Sequence, residues 1–345
     1  MQNSKEKLGV ALVGLGEYAT QQLMPALEQT KYCYLAGLVS GSPDKLKKYQ
    51  AAFGLPDNNL YNYESFDRIR ENSAIDIVYI VLPNALHAEY AIRAAEAGKQ
   101  VICEKPMAMS MDECSRIIKA VELAGVRFSM GYRLHFDPFN KEMMRLGQQE
   151  VFGPLTSLEL KNSMFIGDSS PWRLDVNLSG GGPLVNNGIY CVQAAIYITG
   201  KFPVAVAANF APVTDANRFR EVEEGIQWTL FFDNGLEARC ESSYSKEQNL
   251  MHANAEHGRF QLQPAYAYTG LKGKTPAGTM RFKTINQQAL QMDDFAQCIL
   301  ANKETRVPAE MGMRDVEIMQ AIYNAADSGK KIALNLQHYA PIPVY

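Results

Sequence analysis

Apolar residues in the first third of the chain fall in short runs: Leu8 to Leu15, Tyr34 to Ser40, Ile75 to Leu82 and Gln100 to Cys103. Between them lie stretches with helical spacing, Tyr18 to Thr30 through Leu23 and Leu27, and Ala85 to Ala97 closed by Gly98 where a left-handed cap is wanted. Strand and helix alternating in this way predict an α/β domain, a doubly wound parallel sheet of Rossmann type with helices on both faces. Beyond about Arg133 the pattern changes. Val204 to Phe210 and Ile226 to Phe232 read as strands, and Asp233-Asn234-Gly235 before Leu236 to Cys240 is a hairpin signal, so antiparallel sheet is expected there. Gly270 to Gly278 reads as a loop, Met313 to Ala326 as a helix with Val316, Met319 and Tyr323 on one face, and His338 to Tyr345 as an extended surface tail. The division expected is 1–133 and 134–345, the second part ending in a helix at about 310–328 and the tail.

Composition narrows the partners. A chain of 345 residues exceeds what one core usually serves, which agrees with two domains. Its 47% hydrophobic and 21% charged residues are those of a soluble protein, and no segment approaches the ~20 apolar residues of a membrane span. Met1 to Leu8 is polar and leads straight into the first apolar run, which leaves no room for a secretory signal and sets the expectation of a cytoplasmic location. The six cysteines, at 33, 103, 114, 191, 240 and 298, form no C-x-x-C pair and read as free core thiols, with no metal site. A net charge of -3, with 34 basic and 37 acidic residues interspersed, offers no basic stripe for nucleic acid. Small molecules are the expected partners.

The chemistry begins at Gly14-Leu15-Gly16-Glu17-Tyr18-Ala19, a G-x-G-x-x-G/A pattern between a predicted strand and a predicted helix. The first glycine permits a tight turn, the second lets backbone N–H groups reach a pyrophosphate, and Ala19 lets helix and strand sit close. Phosphate then lies at a helix N-terminus, where unpaired donors and the dipole favour negative charge. Where an NAD enzyme carries a ribose-binding carboxylate, this chain reads Ser40-Gly41-Ser42, followed by Lys45, Lys47 and Lys48. No carboxylate would repel a 2'-phosphate, and hydroxyls and an ammonium are at hand, so NADP is favoured over NAD. The competing reading makes Asp44 a helix N-cap and the lysines a solvated face, compatible with NAD.

Glu104-Lys105-Pro106 ends a predicted parallel strand, the edge at which open α/β sheets bind ligands. The proline biases Lys105 away from helical angles. Its ammonium can bind a substrate hydroxyl and lower the pKa of a neighbouring phenol; as a bare sequence feature it reads more often as a surface charge.

These motifs come with others in a fixed order: Leu82-Pro83-Asn84 with His87, Gly131-Tyr132-Arg133, and Trp172-Arg173-Leu174 with Gly180-Gly181-Gly182. Together, over about residues 8 to 334, they resemble the Gfo/Idh/MocA oxidoreductase family, most of all its glucose-fructose oxidoreductase branch. The resemblance implies a second α+β domain with a large, mainly antiparallel, open-faced sheet, and a homodimer or homotetramer made through it. It further implies hydride transfer between nicotinamide and a sugar: oxidation of an aldose at C1, reduction of a ketose or aldose, or exchange between two sugars. Lys105 would bind substrate and Tyr190 would be the acid/base, with Asn187 and His135 beside the sugar. Trp172 and Arg173, and Tyr132 and Arg133, would reach cofactor or substrate; Asn84, His87, Leu82 and Glu104 would line the nicotinamide side.

The chain departs from the family where Asn186 replaces an aspartate, four residues before Tyr190 and on the same face of a helix. Proton acceptance is lost there, hydrogen bonding to a hydroxyl is kept, and the loss of a carboxylate favours phenolate. Tyrosine starts near ~10, so Lys105 is expected to bring Tyr190 down toward working pH. Without the family context Tyr190 is one of 17 tyrosines and reads as helix packing. Two other functions stay open: a redox glycosidase using tightly held NAD(P), and a non-catalytic NADP-binding sensor.

Overall fold

The computed structural model describes residues 6–167 and 171–339, and the chain divides into two compact units. The first unit holds Met1–Arg133 and Asn286–Gly312, the second Leu134–Ile285 and Met313–Tyr345. In the first unit the chain runs β1 (Leu8–Val13), a π-turn at Ala19–Leu23 that continues as α1 (Met24–Leu27), β2 (Cys33–Val39), α2 (Pro43–Phe53), β3 (Leu60–Tyr61), β4 (Ile77–Ile80), α3 (His87–Glu96), β5 (Gln100–Cys103), α4 (Met111–Ala124) and β6 (Phe128–Met130). The six strands pair in the order β3-β2-β1-β4-β5-β6, all parallel. That is the doubly wound Rossmann order, whose crevice opens between β1 and β4, where the winding reverses. Every side chain of β1 and β4 is buried, as a sheet covered on both faces requires.

The second unit runs α5 (Pro138–Gln148), β7 (Leu155–Ser163), α6 (Val176–Ser179), a π-turn at Leu184–Gly188 leading into α7 (Ile189–Thr199), then β8 (Ala205–Phe210), β9 (Gly225–Phe231), β10 (Glu237–Ser243), β11 (Gln248–Ala255), β12 (Gly258–Leu262), β13 (Gly273–Thr275) and β14 (Gly278–Thr279). After α8 (Gln287–Leu300), which belongs to the first unit, α9 (Ala309–Ser328) and β15 (Ile332–Ala333) follow. The nine strands pair as β14-β13-β12-β11-β7-β10-β9-β8-β15, antiparallel except for β7 with β10. α7 packs on β7 and β10 and is buried along Ile189–Ile198, so its sequence is apolar all round. The opposite face of the sheet is polar. Lys161 Nζ meets Glu159 at 2.9 Å and Glu241 at 3.7 Å, and His252 reaches Glu159 at 3.3 Å.

Three expectations need correction. Asn286–Gly312 returns to the first unit, because Ala289, Met292, Phe295 and Ala296 of α8 join the core formed by Leu12, Leu23, Leu38 and Tyr79. Asp293 adds a polar tie, accepting from the backbone N–H groups of Lys31 and Tyr32 at 2.9 and 2.8 Å. The stretch Gly270 to Gly278 is not wholly loop: β13 lies within it and pairs with Leu262 and Gln261 at the sheet edge, while Pro276-Ala277 makes the turn. The tail is anchored at its start. Tyr339 is buried and donates to Glu317 at 2.8 Å; residues 340–345 lie outside the described residues.

The Asp233-Asn234-Gly235 turn joins β9 to β10, with Gly235 at φ +83°. All six cysteines are free thiols, five buried and Cys298 half-buried, and burial pushes the thiols up. Among the described residues no cluster of side chains could hold a metal, and no helix is long and apolar enough to cross a membrane.

Candidate active site

β1 ends in the glycine loop. Gly14 sits at φ +96°, and a β-carbon there would lie 2.5 Å from the Val81 carbonyl oxygen, so only glycine fits. Gly16 is exposed, and a β-carbon on it would meet nothing within 4 Å. The two glycines therefore divide the labour: one lets the loop turn against β4, the other leaves open backbone where a diphosphate would approach. Leu15 and Ala19 are buried, Glu17 is exposed and Tyr18 half-buried, and the helix begins at Glu17.

The end of β2 closes on this loop. The Lys45 ammonium donates to the Leu15 carbonyl at 3.0 Å, bringing a positive charge to the fingerprint. Ser42, not Asp44, is the N-cap of α2, accepting from Lys45 N–H at 3.4 Å; Asp44 is in the first turn, where its charge suits the dipole. Ser40 is buried and its Oγ accepts from Ser42 N–H at 3.2 Å, and Gly41 is exposed between them. Lys47 and Lys48 are exposed, the latter over the Tyr49 ring at 5.2 Å. No carboxylate occupies Ser40, Gly41 or Ser42, so the set fits a 2'-phosphorylated dinucleotide.

The C-terminal ends of β4 and β5 carry the next group. Glu104 is buried, accepts from the Tyr79 phenol at 2.8 Å, and lies so close to Gly131 that a β-carbon there would be 2.7 Å from its Oε1. Burial raises the Glu104 pKa against the opposing pull of the Tyr79 hydrogen bond, Lys105 and Arg133. Tyr79 in turn accepts from Gln291 of α8 at 2.9 Å. Lys105 is half-buried and precedes a cis proline. Arg133 is buried and donates to Gln287, also of α8, and Tyr132 is fully buried.

His87 needs a correction. It is 0% exposed, with Nδ1 2.7 Å from the Pro106 carbonyl oxygen and Nε2 2.9 Å from that of Leu82, so neither ring nitrogen is presented to a nicotinamide. Instead it ties the turn after β4 to the segment after β5. Burial lowers its pKa, and a neutral ring donates to one of the two carbonyls. Leu82 and Asn84 are also buried, at the start of that turn.

In the second unit Trp172 and Arg173 are half-buried, with the guanidinium 4.6 Å from the indole centroid. Arg173 and Asn186 both act on the phenol of Tyr244, whose pKa burial nevertheless pushes up. Asn186 and Asn187 are half-buried on the π-turn, and the Asn187 carbonyl accepts from Asn162 at 3.1 Å. The expected α-helical spacing of Asn186 and Tyr190 is corrected here: the backbone over Leu184–Gly188 is wound as a π-turn, common at functional sites, with i→i+5 bonds. Tyr190 is 8% exposed, its ring 6.2 Å from that of Tyr266. His135 is buried edge-on against Tyr197 at 5.3 Å, a core position rather than a sugar-facing one.

Each unit thus assembles its own part of the set. The first brings Gly14, Gly16, Ser42 and Lys45 to one loop and Glu104 and Arg133 to another; the second gathers Arg173 and Asn186 about Tyr244. Sequence reasoning missed Tyr79, Gln287 and Gln291, and also Tyr244, Glu223 and Tyr323. Their only signal was polar character at positions that patterning reads as core.

Comparison with known proteins agrees with the fold. Residues 8–132 match the oxidoreductase family model with an NAD-binding Rossmann fold, residues 141–262 a Gfo/Idh/MocA C-terminal domain, and residues 245–334 the family's C-terminal alpha/beta domain. The chain belongs to the Gfo/Idh/MocA family of oxidoreductases. Among solved structures it is similar to aldose-aldose oxidoreductase from Caulobacter crescentus complexed with glycerol, at 40% identity and a TM-score of 0.92, covering 95% of this chain and 100% of that one. Among curated proteins it is similar to the NADP(+) D-xylose 1-dehydrogenase of Haloarcula marismortui, 27% identical over 339 residues, with 94% of this chain and 92% of the relative covered. A second D-xylose 1-dehydrogenase (NADP(+)), from Haloferax volcanii, is 26% identical over 333 residues, covering 94% of this chain and 99% of the relative.

Proposed function

We propose that this chain is an NADP-dependent sugar oxidoreductase acting on the C1 hydroxyl of aldoses, with exchange of hydride between two sugars as its fullest activity. The observation that carries the reading is the β2 end: serines at 40 and 42, no carboxylate, and the Lys45 ammonium tied to the Leu15 carbonyl of the glycine loop. Similarity to an aldose-aldose oxidoreductase and to two NADP-dependent xylose dehydrogenases supports it.

Gly14, Leu15, Gly16, Glu17 and Tyr18 would hold the pyrophosphate, and Ser40, Gly41, Ser42 and Lys45 the 2'-phosphate. Leu82, Asn84, Glu104, Arg133, Trp172 and Arg173 are assigned to the rest of the dinucleotide. When bound, the nicotinamide accepts or supplies the hydride. Lys105 is assigned to binding a substrate hydroxyl and Tyr190 to proton transfer. Asn186 and Asn187 donate to and accept from neighbouring sugar hydroxyls, Asn186 without competing for the proton. The outer face of the large sheet, which carries Glu159, Lys161 and Glu241, is assigned to the contact of a homodimer or homotetramer.

The test is to purify the protein, identify any bound dinucleotide by mass, and follow NADPH absorbance with a panel of aldoses and ketoses, singly and in pairs. Reduction of NADP by an aldose is expected, with turnover lost in Lys105→Met and Tyr190→Phe while NADPH still binds. A protein that binds neither pyridine dinucleotide, or turns over unchanged in Tyr190→Phe, overturns the reading.

A further inference from the structure

The turn that carries Asn186, Asn187 and the approach to Tyr190 has no side-chain cap of its own, and Pro183 before it has no N–H to give. Two buried backbone donors at its start are met from elsewhere in the second unit. Glu223, just ahead of β9, accepts from Gly182 N–H at 2.9 Å through Oε2 and from Leu184 N–H at 3.1 Å through Oε1. Tyr323 of α9 donates its phenol to the same Oε1 at 2.9 Å. A carboxylate at the start of a helical segment also matches its dipole.

The glycines beside this contact are explained by it. A β-carbon on Gly181, which has φ +153°, would lie 2.2 Å from the Tyr323 hydroxyl, and one on Gly182 would lie 2.8 Å from Glu223 Oε2. Two of the three residues in Gly180-Gly181-Gly182 are thus small so that a phenol and a carboxylate can reach the backbone. The pair is not sealed in the core. A cavity of about 470 Å³ opens onto Glu223, Tyr323, Gly180 and Gly181, with Phe210 on its wall.

We infer that Glu223, steadied by Tyr323, is a positioning residue for the reaction: its carboxylate sets the place of the π-turn that presents Asn186, Asn187 and, one turn on, Tyr190. This inference rests on the assignment of Tyr190 as the proton-transferring group. Burial raises the Glu223 pKa, while the Gly182 and Leu184 amides and the Tyr323 phenol pull it back. The other charged or titratable groups about it are Tyr244 at the end of β10 and Arg220, Glu221 and Glu224 on its own segment. Protonation of Glu223 weakens its hold on the two amides, so turnover falls on the acid side as that carboxylate is lost.

The experiment compares Glu223→Gln, Tyr323→Phe and Tyr190→Phe in the full chain. Glu223→Gln is expected to lower kcat about 10- to 100-fold with NADPH affinity little changed, as misplacement of a reacting group does. Hydrogen exchange of peptides spanning 182–190 should rise in the same variant. Tyr323→Phe removes one donor and leaves the fold's backbone contacts in place, so the acid limb of kcat should move to higher pH. Wild-type kcat and an unmoved acid limb in both variants overturn the inference, as does a fall in kcat that only follows loss of NADPH binding and of melting temperature. Faster exchange without any loss of kcat overturns it as well. Unchanged turnover in Tyr190→Phe instead defeats the assignment on which it rests, so the two failures are distinguishable.

Discussion

The Tyr79 phenol donates to Glu104 Oε1 at 2.8 Å, tying the carboxyl next to Lys105 to the middle of β4. Both residues are buried, and the bond opposes the burial that raises the Glu104 pKa. Tyr79→Phe removes the donor and leaves Gln291 Nε2 without its acceptor, at a cost of about 1–3 kcal/mol. The sign of the pH effect follows from linkage. A folded-state pKa above the ordinary 4.5 gives stability that is complete below 4.5 and is lost as pH rises through the raised value. With the donor gone the pKa climbs further, so the gap in melting temperature between wild type and Tyr79→Phe should widen from about pH 4 to pH 8.

Gly14 and Gly16 separate folding from binding. Gly14→Ala forces a β-carbon against the Val81 carbonyl at φ +96° and should lose about 2–3 kcal/mol in denaturant titration. Gly16→Ala meets nothing in the protein. It should melt as wild type does while NADPH affinity, read by fluorescence, weakens about tenfold.

Lys45→Ala tests the cofactor preference. Loss of the ammonium that reaches the Leu15 carbonyl should raise KM for NADPH about tenfold and leave KM for NADH unchanged, since only the former carries the phosphate it would pair with. Equal effects on both coenzymes would show that Lys45 supports the loop alone.

Glu224 predicts the opposite pH dependence from Glu104. Hydrogen bonds from the Ser245 and Thr214 side chains and from the Thr214 and Asp215 backbone N–H groups overcome burial and hold its carboxyl at about 2. Its contribution is therefore present above the ordinary 4.5 and lost as pH falls through about 2. Glu224→Gln should lower the melting temperature at neutral pH, and the difference from wild type should shrink as the solution is acidified toward that value.

Much of this was legible in the residues themselves. Gly14 to Ala19 announced the strand–loop–helix junction because a dinucleotide site needs backbone geometry that only certain small residues allow, and geometry of that kind leaves a local signature. Ser40 to Lys45 was legible for the same reason, although the cap went to Ser42 rather than Asp44. His87 was misread because its ring is satisfied by two carbonyls brought from different loops, and nothing in its immediate neighbours in sequence records that. The π-turn at Leu184–Gly188 escaped periodicity because one extra residue per turn does not disturb an apolar pattern as short as this one. Glu223 and Tyr323 were invisible in principle: a carboxylate that caps a turn 39 residues earlier in the chain, and a phenol 100 residues later, have no spacing rule to betray them.

The return of Asn286–Gly312 to the first unit bears on how the protein can be made. A ribosome that has released only the N-terminal 133 residues has not yet supplied α8, whose Met292 and Phe295 complete that core, nor Gln291 and Gln287, which partner Tyr79 and Arg133. Nascent dinucleotide-binding sheet must therefore wait, one apolar flank uncovered, until β7 to β14 of the second sheet and then α8 have been synthesised. A vector ending at Arg133 would yield an insoluble fragment, whereas splicing 286–312 onto it through a short linker would restore the missing layer.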